Sequence, residues 1–333
     1  PSLSAYRGPM DIQDVIHRYD EGLKQVEACM DEHMRSEVAL IPEVVRHLIG
    51  GGGKRLRPLL LLACADLCGY AGERRYPLAT VIEFLHTASL FHDDVIDEAK
   101  TRRGRRSANT IWGNETSVLV GDFLYSKAFC LMTADGSLPV MTLMSETTNL
   151  MSEGEVFQLV KCGETDLVEA DYRTIIERKT AILIAAACAL GAMLGDAPED
   201  RVEALRQFGL RVGAAFQMTD DTLDYVAREE EFGKAVGKDL QEGKMTLPLI
   251  HALRQGSREE TERIRRAVQE RALDDDTSRF IMDVVRRRGG IDYALGQAEA
   301  LIAEAKGLLA PFPASPPRDA LFAIADYVLA RNL

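Results

Sequence analysis

Apolar residues recur at intervals of three and four through most of the chain, the mark of helices that bury one side. Between Asp11 and Ile49 they fall at Ile12, Val15, Ile16, Leu23, Val26, Val44, Val45 and Leu48, predicting two or three amphipathic helices. Gly50–Gly53 stop the last of these. A strongly apolar stretch then runs to Cys68, and another leads from Glu83 into Asp93. Helices are predicted over 121–132 and 140–160, interrupted by Asp135-Gly136-Ser137, and again over 172–194 and 200–227. A Gly- and Lys-rich loop occupies 233–247. Polar-faced helices continue from Leu249 to a break at Pro311–Pro317, with a last helix from Arg318. No segment keeps a convincing period of two. The predicted class is all-α, with one large domain over 11–333 and a disordered leader or cloning remnant over 1–10.

Composition narrows the function. The 333 residues are 46% apolar, enough for a substantial core, and no linker or composition break divides them. A formal net charge of -12 argues against a nucleic-acid partner. Locally the balance reverses, because Lys54, Arg55, Arg57, Arg102, Arg103, Arg105 and Arg106 flank an acidic cluster. Cations gathered beside aspartates in an acidic protein suggest an anionic substrate bridged by metal. The six cysteines include no CxxC and suit buried thiols in a reducing compartment. The longest apolar run, Ala181–Leu194, falls short of the roughly 18 residues a spanning helix needs. No signal peptide is visible, and the expected location is cytoplasmic.

The candidate chemistry lies in two repeats of one pattern. Asp93 and Asp97 are four apart, one helical turn from each other, with His86 two turns before Asp93. Two carboxylates stacked in this way suit Mg²⁺ that keeps most of its waters and takes a polyphosphate into its shell. Arg102 and Arg103 follow as forked phosphate donors. An acidic cluster on a helix is most often a solvated face, so one copy decides little. Asp220, Asp221 and Asp224 supply a second, again after an apolar run, with Gln217 sharing their face. Two such sites on facing helices would hold several Mg²⁺ ions around one diphosphate. Asp274-Asp275-Asp276 lacks the apolar run and reads as a solvated turn. The glycines before Lys54 do not form a Walker A loop, but glycine backbone with Lys54 and Arg57 at a helix start suits an anion; a solvated basic helix entrance is the alternative. Lys179 either snorkels from its apolar helix or meets the diphosphate.

In order, GGGKRLRP, HxxxxxxDDVID followed by RRG, GDFLYSKAF, GEVFQL, KTA, FQMTDDTLDY and GKDLQEGKMTLP resemble the trans-isoprenyl (polyprenyl) diphosphate synthases, over about residues 45–250. Within the family the chain is most similar to bacterial octaprenyl diphosphate synthases. The resemblance implies an antiparallel helix bundle around a deep cavity, usually a homodimer. It also implies a transferase that extends an allylic diphosphate with isopentenyl diphosphate, giving a long chain for quinone side chains. It assigns Asp93 and Asp97 to two Mg²⁺ ions and Asp220 to a third, with Asp94, Asp221, Asp224 and Asp239 in support. Lys54, Arg57, His86 and Arg103 would bind isopentenyl diphosphate. Arg102, Lys179, Thr180, Gln217, Lys234 and Lys244 would bind the allylic diphosphate. Ala235 and Lys238 depart from the commonest form of the last loop. Ala88 and Ser89, one turn below the aspartates, stand where short-chain members place an aromatic, and Met132 and Met144 would form a deeper floor.

Three rivals share parts of the pattern. A class I terpene cyclase would carry a different second metal motif and no isopentenyl diphosphate site. A di-iron bundle would need a second ExxH beside Glu83–His86. A non-catalytic subunit of a heteromeric synthase would tend to lose aspartates, and both triads are intact.

Overall fold

The computed structural model describes residues 10–49, 55–102, 104–226, 238–270 and 273–330. Lys54, Arg103, Lys234, Ala235 and the leader before Met10 lie outside the described residues, as does the side chain of Lys238.

Nearly all described regular structure is helical. Helices α1 (Ile12–His33) and α2 (Leu40–Ile49) match the two amphipathic segments, and Asp11 caps α1 by accepting the N–H groups of Gln13 and Asp14. They are followed by α3 (Leu56–Leu67) and α4 (Arg75–Ile96). Thr101–Arg102 and Arg105–Arg106 then form a small antiparallel hairpin, which the pattern analysis did not predict because two-residue strands are too short to show a period. The short α5 (Ala108–Trp112) leads to α6 (Asn114–Asp135), α7 (Leu138–Lys161) and α8 (Glu169–Ile176). One π turn, Glu177–Ala181, joins α8 to α9 (Ile182–Leu194), and α10 (Glu199–Val226) follows. The later helices are α11 (Lys238–Gln241), α12 (Leu247–Gln255), α13 (Arg258–Gln269), α14 (Asp275–Arg287), α15 (Gly290–Leu308) and α16 (Pro316–Ala330).

Two compact units emerge from the packing. The first comprises Pro1–Thr148, Leu183–Gly209 and Leu309–Ile324. At its centre is α4, which packs against α1, α3, α5 and α6. Its buried residues go all the way round, from Leu78 to Asp94, as expected of a helix enclosed by others. α3 and α9 are both largely buried, and they approach closely where Gly191 meets α3: a Cβ there would lie 2.5 Å from the Leu61 carbonyl oxygen. The second unit comprises Asn149–Ile182, Leu210–Leu308 and Ala325–Leu333. Here α12 packs on α8, α14 and α15.

Three expectations need correcting. Asp274–Asp276 are solvated as expected but start α14 rather than forming a turn, with Asp274 as the N-cap accepting the Thr277 N–H at 2.8 Å. α9 is indeed too short to cross a bilayer, but α6, at 22 residues and a mean hydropathy of 1.2, is long and apolar enough by length and composition. One face of α6, from Ser117 through Leu124 to Met132, is buried, and the helix packs along α4. The cysteines are also not mostly buried as expected: only Cys64 and Cys188 are fully so, Cys29 and Cys68 are half-buried, and Cys130 and Cys162 are exposed.

Candidate active site

The first acidic triad ends α4. Asp93 lies in its last turn, and Asp97 is the C-cap, its N–H donating to the Asp93 carbonyl at 2.8 Å. The one-turn spacing therefore survives although the helix stops at Ile96. Asp94 turns the other way. Its carboxylate is fully buried, and Oδ1 accepts Arg102 Nε at 2.7 Å. The Asn109 side chain donates to the Asp94 carbonyl at 3.0 Å, tying the hairpin region back to α4. Arg102, assigned to the allylic diphosphate, rests on Asp94 and borders a small cleft with His47, Arg105 and Arg106.

Entry into α3 is built on strain. Arg55 is its N-cap and takes a left-handed φ of 48°, uncommon outside glycine. Its guanidinium is held by Glu83, 4% exposed on α4, at 2.9 Å and by Glu27 at 3.6 Å. Glu83, the first residue of the ExxH, is thus the partner of an arginine. Arg57 lies in the first turn of α3 and His86 one turn beyond Glu83 on α4. Of the residues assigned to chain length, Ala88, Met132 and Met144 are fully buried, and Ser89 spends its hydroxyl on the His86 carbonyl at 2.8 Å.

The second triad lies in α10, and its Asp221 lines a cleft of about 90 Å³. Lys179, Thr180, Gln217, Asp221, Asp239 and Lys244 line it, so five predicted site residues and the supporting Asp239 come together in the second unit. Lys179 and Thr180 belong to the π turn, a device common at functional sites. Gly154 of α7 makes room for that turn. A Cβ at 154 would stand 2.6 Å from Arg178 Cβ and 3.1 Å from the Lys179 nitrogen.

Hydrogen bonds organise the cleft. Thr180 Oγ1 donates to Gln217 Oε1 at 2.8 Å, and Gln217 Nε2 donates to Asp221 Oδ1 at 2.7 Å. Tyr172 donates to Asp221 Oδ2 at 2.6 Å. Asp224 accepts the backbone N–H of Asp239 at 3.0 Å. Lys179 pairs with Glu155 at 2.8 Å and Lys244 with Glu242 at 2.7 Å. Burial lifts the Asp221 carboxyl to about 6 despite the donors from Tyr172 and Gln217, and Asp220 pushes the same way. Burial, followed by the charges of Asp221 and Asp224, lifts Asp239 to about 8.

Crowded carboxylates that resist ionisation are relieved by a divalent cation, so the donor set fits one. Among the described residues no three His, Cys, Asp or Glu side chains converge on metal-binding geometry. The fit is therefore to an ion held by one or two carboxylates and completed by phosphate and water.

Pattern analysis missed Tyr172, Glu155 and Glu242. Tyr172 is seven residues before Lys179, a helical spacing that could have drawn attention to it.

The polyprenyl synthetase family model matches residues 38–285. Octaprenyl diphosphate synthase of Escherichia coli K12 is 38% identical over 97% of this chain and 100% of its own length. The crystal structure of polyprenyl synthase from Caulobacter crescentus CB15, complexed with calcium and isoprenyl diphosphate, is 39% identical. It superposes with a TM-score of 0.93, covering 98% of this chain and 100% of that one. A decaprenyl diphosphate synthase from Rhodobacter capsulatus, 40% identical, gives the same TM-score over 97% and 99%. The helical architecture is thus the isoprenoid synthase fold. With a family match across most of its length, the chain belongs to the polyprenyl synthetase family and is a polyprenyl diphosphate synthase, a prenyltransferase.

Proposed function

We propose that the chain extends an allylic diphosphate, farnesyl diphosphate as the preferred primer, by successive addition of isopentenyl diphosphate to about octaprenyl length, as a homodimer in the cytoplasm. The product would serve as a quinone side chain. The observation that carries this reading is the presence of both intact aspartate triads among the motifs of a chain aligned over 97% of its length with an octaprenyl synthase. The similar identity to a decaprenyl synthase supports a long product and leaves the neighbouring lengths as the second reading.

The residue roles are those the family resemblance implies. Asp93, Asp97 and Asp220, supported by Asp94, Asp221 and Asp224, are the acids that would hold about three Mg²⁺ ions. The Caulobacter relative's calcium is a hard, oxygen-seeking cation of the same kind. Bound Mg²⁺ would neutralise the charge growing on the departing diphosphate. Lys179 and Lys244 exchange their resting carboxylates, Glu155 and Glu242, for phosphate oxygens. Arg102, Thr180, Gln217 and Lys234 complete the allylic site, and Lys54, Arg57, His86 and Arg103 bind isopentenyl diphosphate. The allylic C–O bond breaks, and its electron pair leaves with the diphosphate. The double bond of isopentenyl diphosphate then forms the new C–C bond, and the proton it loses passes to the released diphosphate. Apolar walls keep water from the allylic cation.

The test is incubation of the purified chain alone with Mg²⁺, farnesyl diphosphate and labelled isopentenyl diphosphate, followed by product chromatography. A long-chain product centred on octaprenyl supports the proposal. A product stopping at geranylgeranyl length would make this a short-chain enzyme. No incorporation without a second protein would make it a subunit of a heteromeric synthase.

A further inference from the structure

Beside the second triad stands a group that none of these roles uses. Tyr172, on α8, is 2% exposed, and its hydroxyl is spent on Asp221. Asp221, 7% exposed, therefore has a chain donor on each oxygen: the phenol at 2.6 Å on one and the Gln217 amide at 2.7 Å on the other. A carboxylate committed in this way serves better as an anchor than as a direct ligand.

An ionised carboxylate can only accept, so Gln217 must turn its NH₂ toward Asp221 and its carbonyl toward Thr180. The Thr180 hydroxyl then donates to that carbonyl at 2.8 Å. Orientation passes from the phenol through Asp221 and Gln217 to a threonine in the π turn beside Lys179. Three elements, α8, the π turn and α10, are tied into one polar wall of the cleft.

We propose that Tyr172 is a positioning residue for prenyl transfer. Acting through Asp221, it fixes Gln217 and Thr180 in the single arrangement that receives the allylic diphosphate. The proposal deepens the function proposed above and rests on it. Without the phenol O–H, a buried oxygen of Asp221 loses its donor, and Asp221 and Gln217 can take other rotamers.

Tyr172→Phe keeps the ring and removes only the donor. The expected result is a fall of about ten- to a hundredfold in kcat/KM for the allylic diphosphate, carried mainly by KM. KM for isopentenyl diphosphate should stay within about twofold of wild type. Tyr172→Phe combined with Asp221→Asn should be no worse than Asp221→Asn alone, because both break one chain. Gln217→Glu, which breaks it from the other side, should raise the same KM. Unchanged allylic KM in Tyr172→Phe or in Gln217→Glu overturns the proposal. So does a fall in both substrates' kcat/KM by the same factor, or multiplicative effects in the double variant. Wild-type enzyme is assayed in parallel: an inactive wild type refutes the function itself, whereas an active wild type with a silent Tyr172→Phe refutes only the positioning role.

Discussion

The two triads have the same spelling and different surroundings. In each, the second aspartate turns inward. Asp94 meets a guanidinium, Arg102, and Asp221 meets a phenol and an amide. A cation satisfies a buried carboxylate by charge, whereas neutral donors satisfy it by hydrogen bonds alone and leave its desolvation largely uncompensated. Burial accordingly lifts Asp221 to about 6, with Lys244, which makes no direct ion pair to it, opposing only weakly. The first triad is thus braced by an ion pair, and the second is held under electrostatic tension with Asp239 beside it. The shared motif prescribes where the outer aspartates go. What the inner one costs depends on its neighbours.

Removing the outer carboxylates should have the largest effect. Asp93→Ala and Asp220→Ala are each expected to lower kcat by about three orders of magnitude, with melting temperatures close to wild type. Wild-type-like turnover in either would remove that triad from the chemistry. Next come the inner aspartates. Asp94→Asn deprives Arg102 of its charge partner and should cost about 2 kcal/mol in urea unfolding, discounting for the guanidinium's partial exposure. Asp221→Asn, facing neutral donors, should cost under about 1 kcal/mol. Equal losses would erase the distinction between the two sites.

The tension also has a pH signature. In the folded, metal-free protein Asp221 keeps its proton to about 6 and Asp239 to about 8, while the unfolded chain loses both near an ordinary aspartate value of 3.8. The folded state therefore binds more protons across that window, and stability falls as pH rises through it. Thermal melts in EDTA should show this decline, and Mg²⁺ should raise the melting temperature more at pH 8 than at pH 5. Glu260 behaves oppositely. The Ser257 N–H and then Arg288 lower it to about 2, so its contribution is present above 4.5 and is lost as pH falls through about 2. Glu260→Gln should flatten only that acid limb.

At Ala88 the effect falls on product length rather than on turnover. Ala88→Phe should shorten the product to about three or four isoprene units, because a ring there blocks a tail that gains about 0.8 kcal/mol per buried CH₂. Overpacking at this buried position should cost on the order of 1 kcal/mol. Unchanged product length would remove Ala88 and Ser89 from length control.

The outer features were legible because they are periodic or local. Apolar spacing marked the long helices, and four-residue spacing marked both triads. Arg102 is only eight residues from Asp94, yet its pairing depends on a hairpin too short to leave a pattern. Tyr172 is 49 residues from Asp221, and nothing in either segment names the other. The strained Arg55 and its partner Glu83 were visible as charges, but not as a pair bridging α3 and α4.

The π turn at Glu177–Ala181 carries a further implication about residue number. Each residue of an α-helix advances the chain by about 100°, so a surplus residue resets the rotational phase of whatever follows. Excising Arg178 would leave every assigned side chain in the sequence. Seven residues would then separate Tyr172 from Thr180, about 20° short of two α-helical turns, so the two would keep a common face only if the π turn relaxed to α, and a retained π turn would swing them apart. The pocket depends on how many residues separate its members as much as on which residues they are.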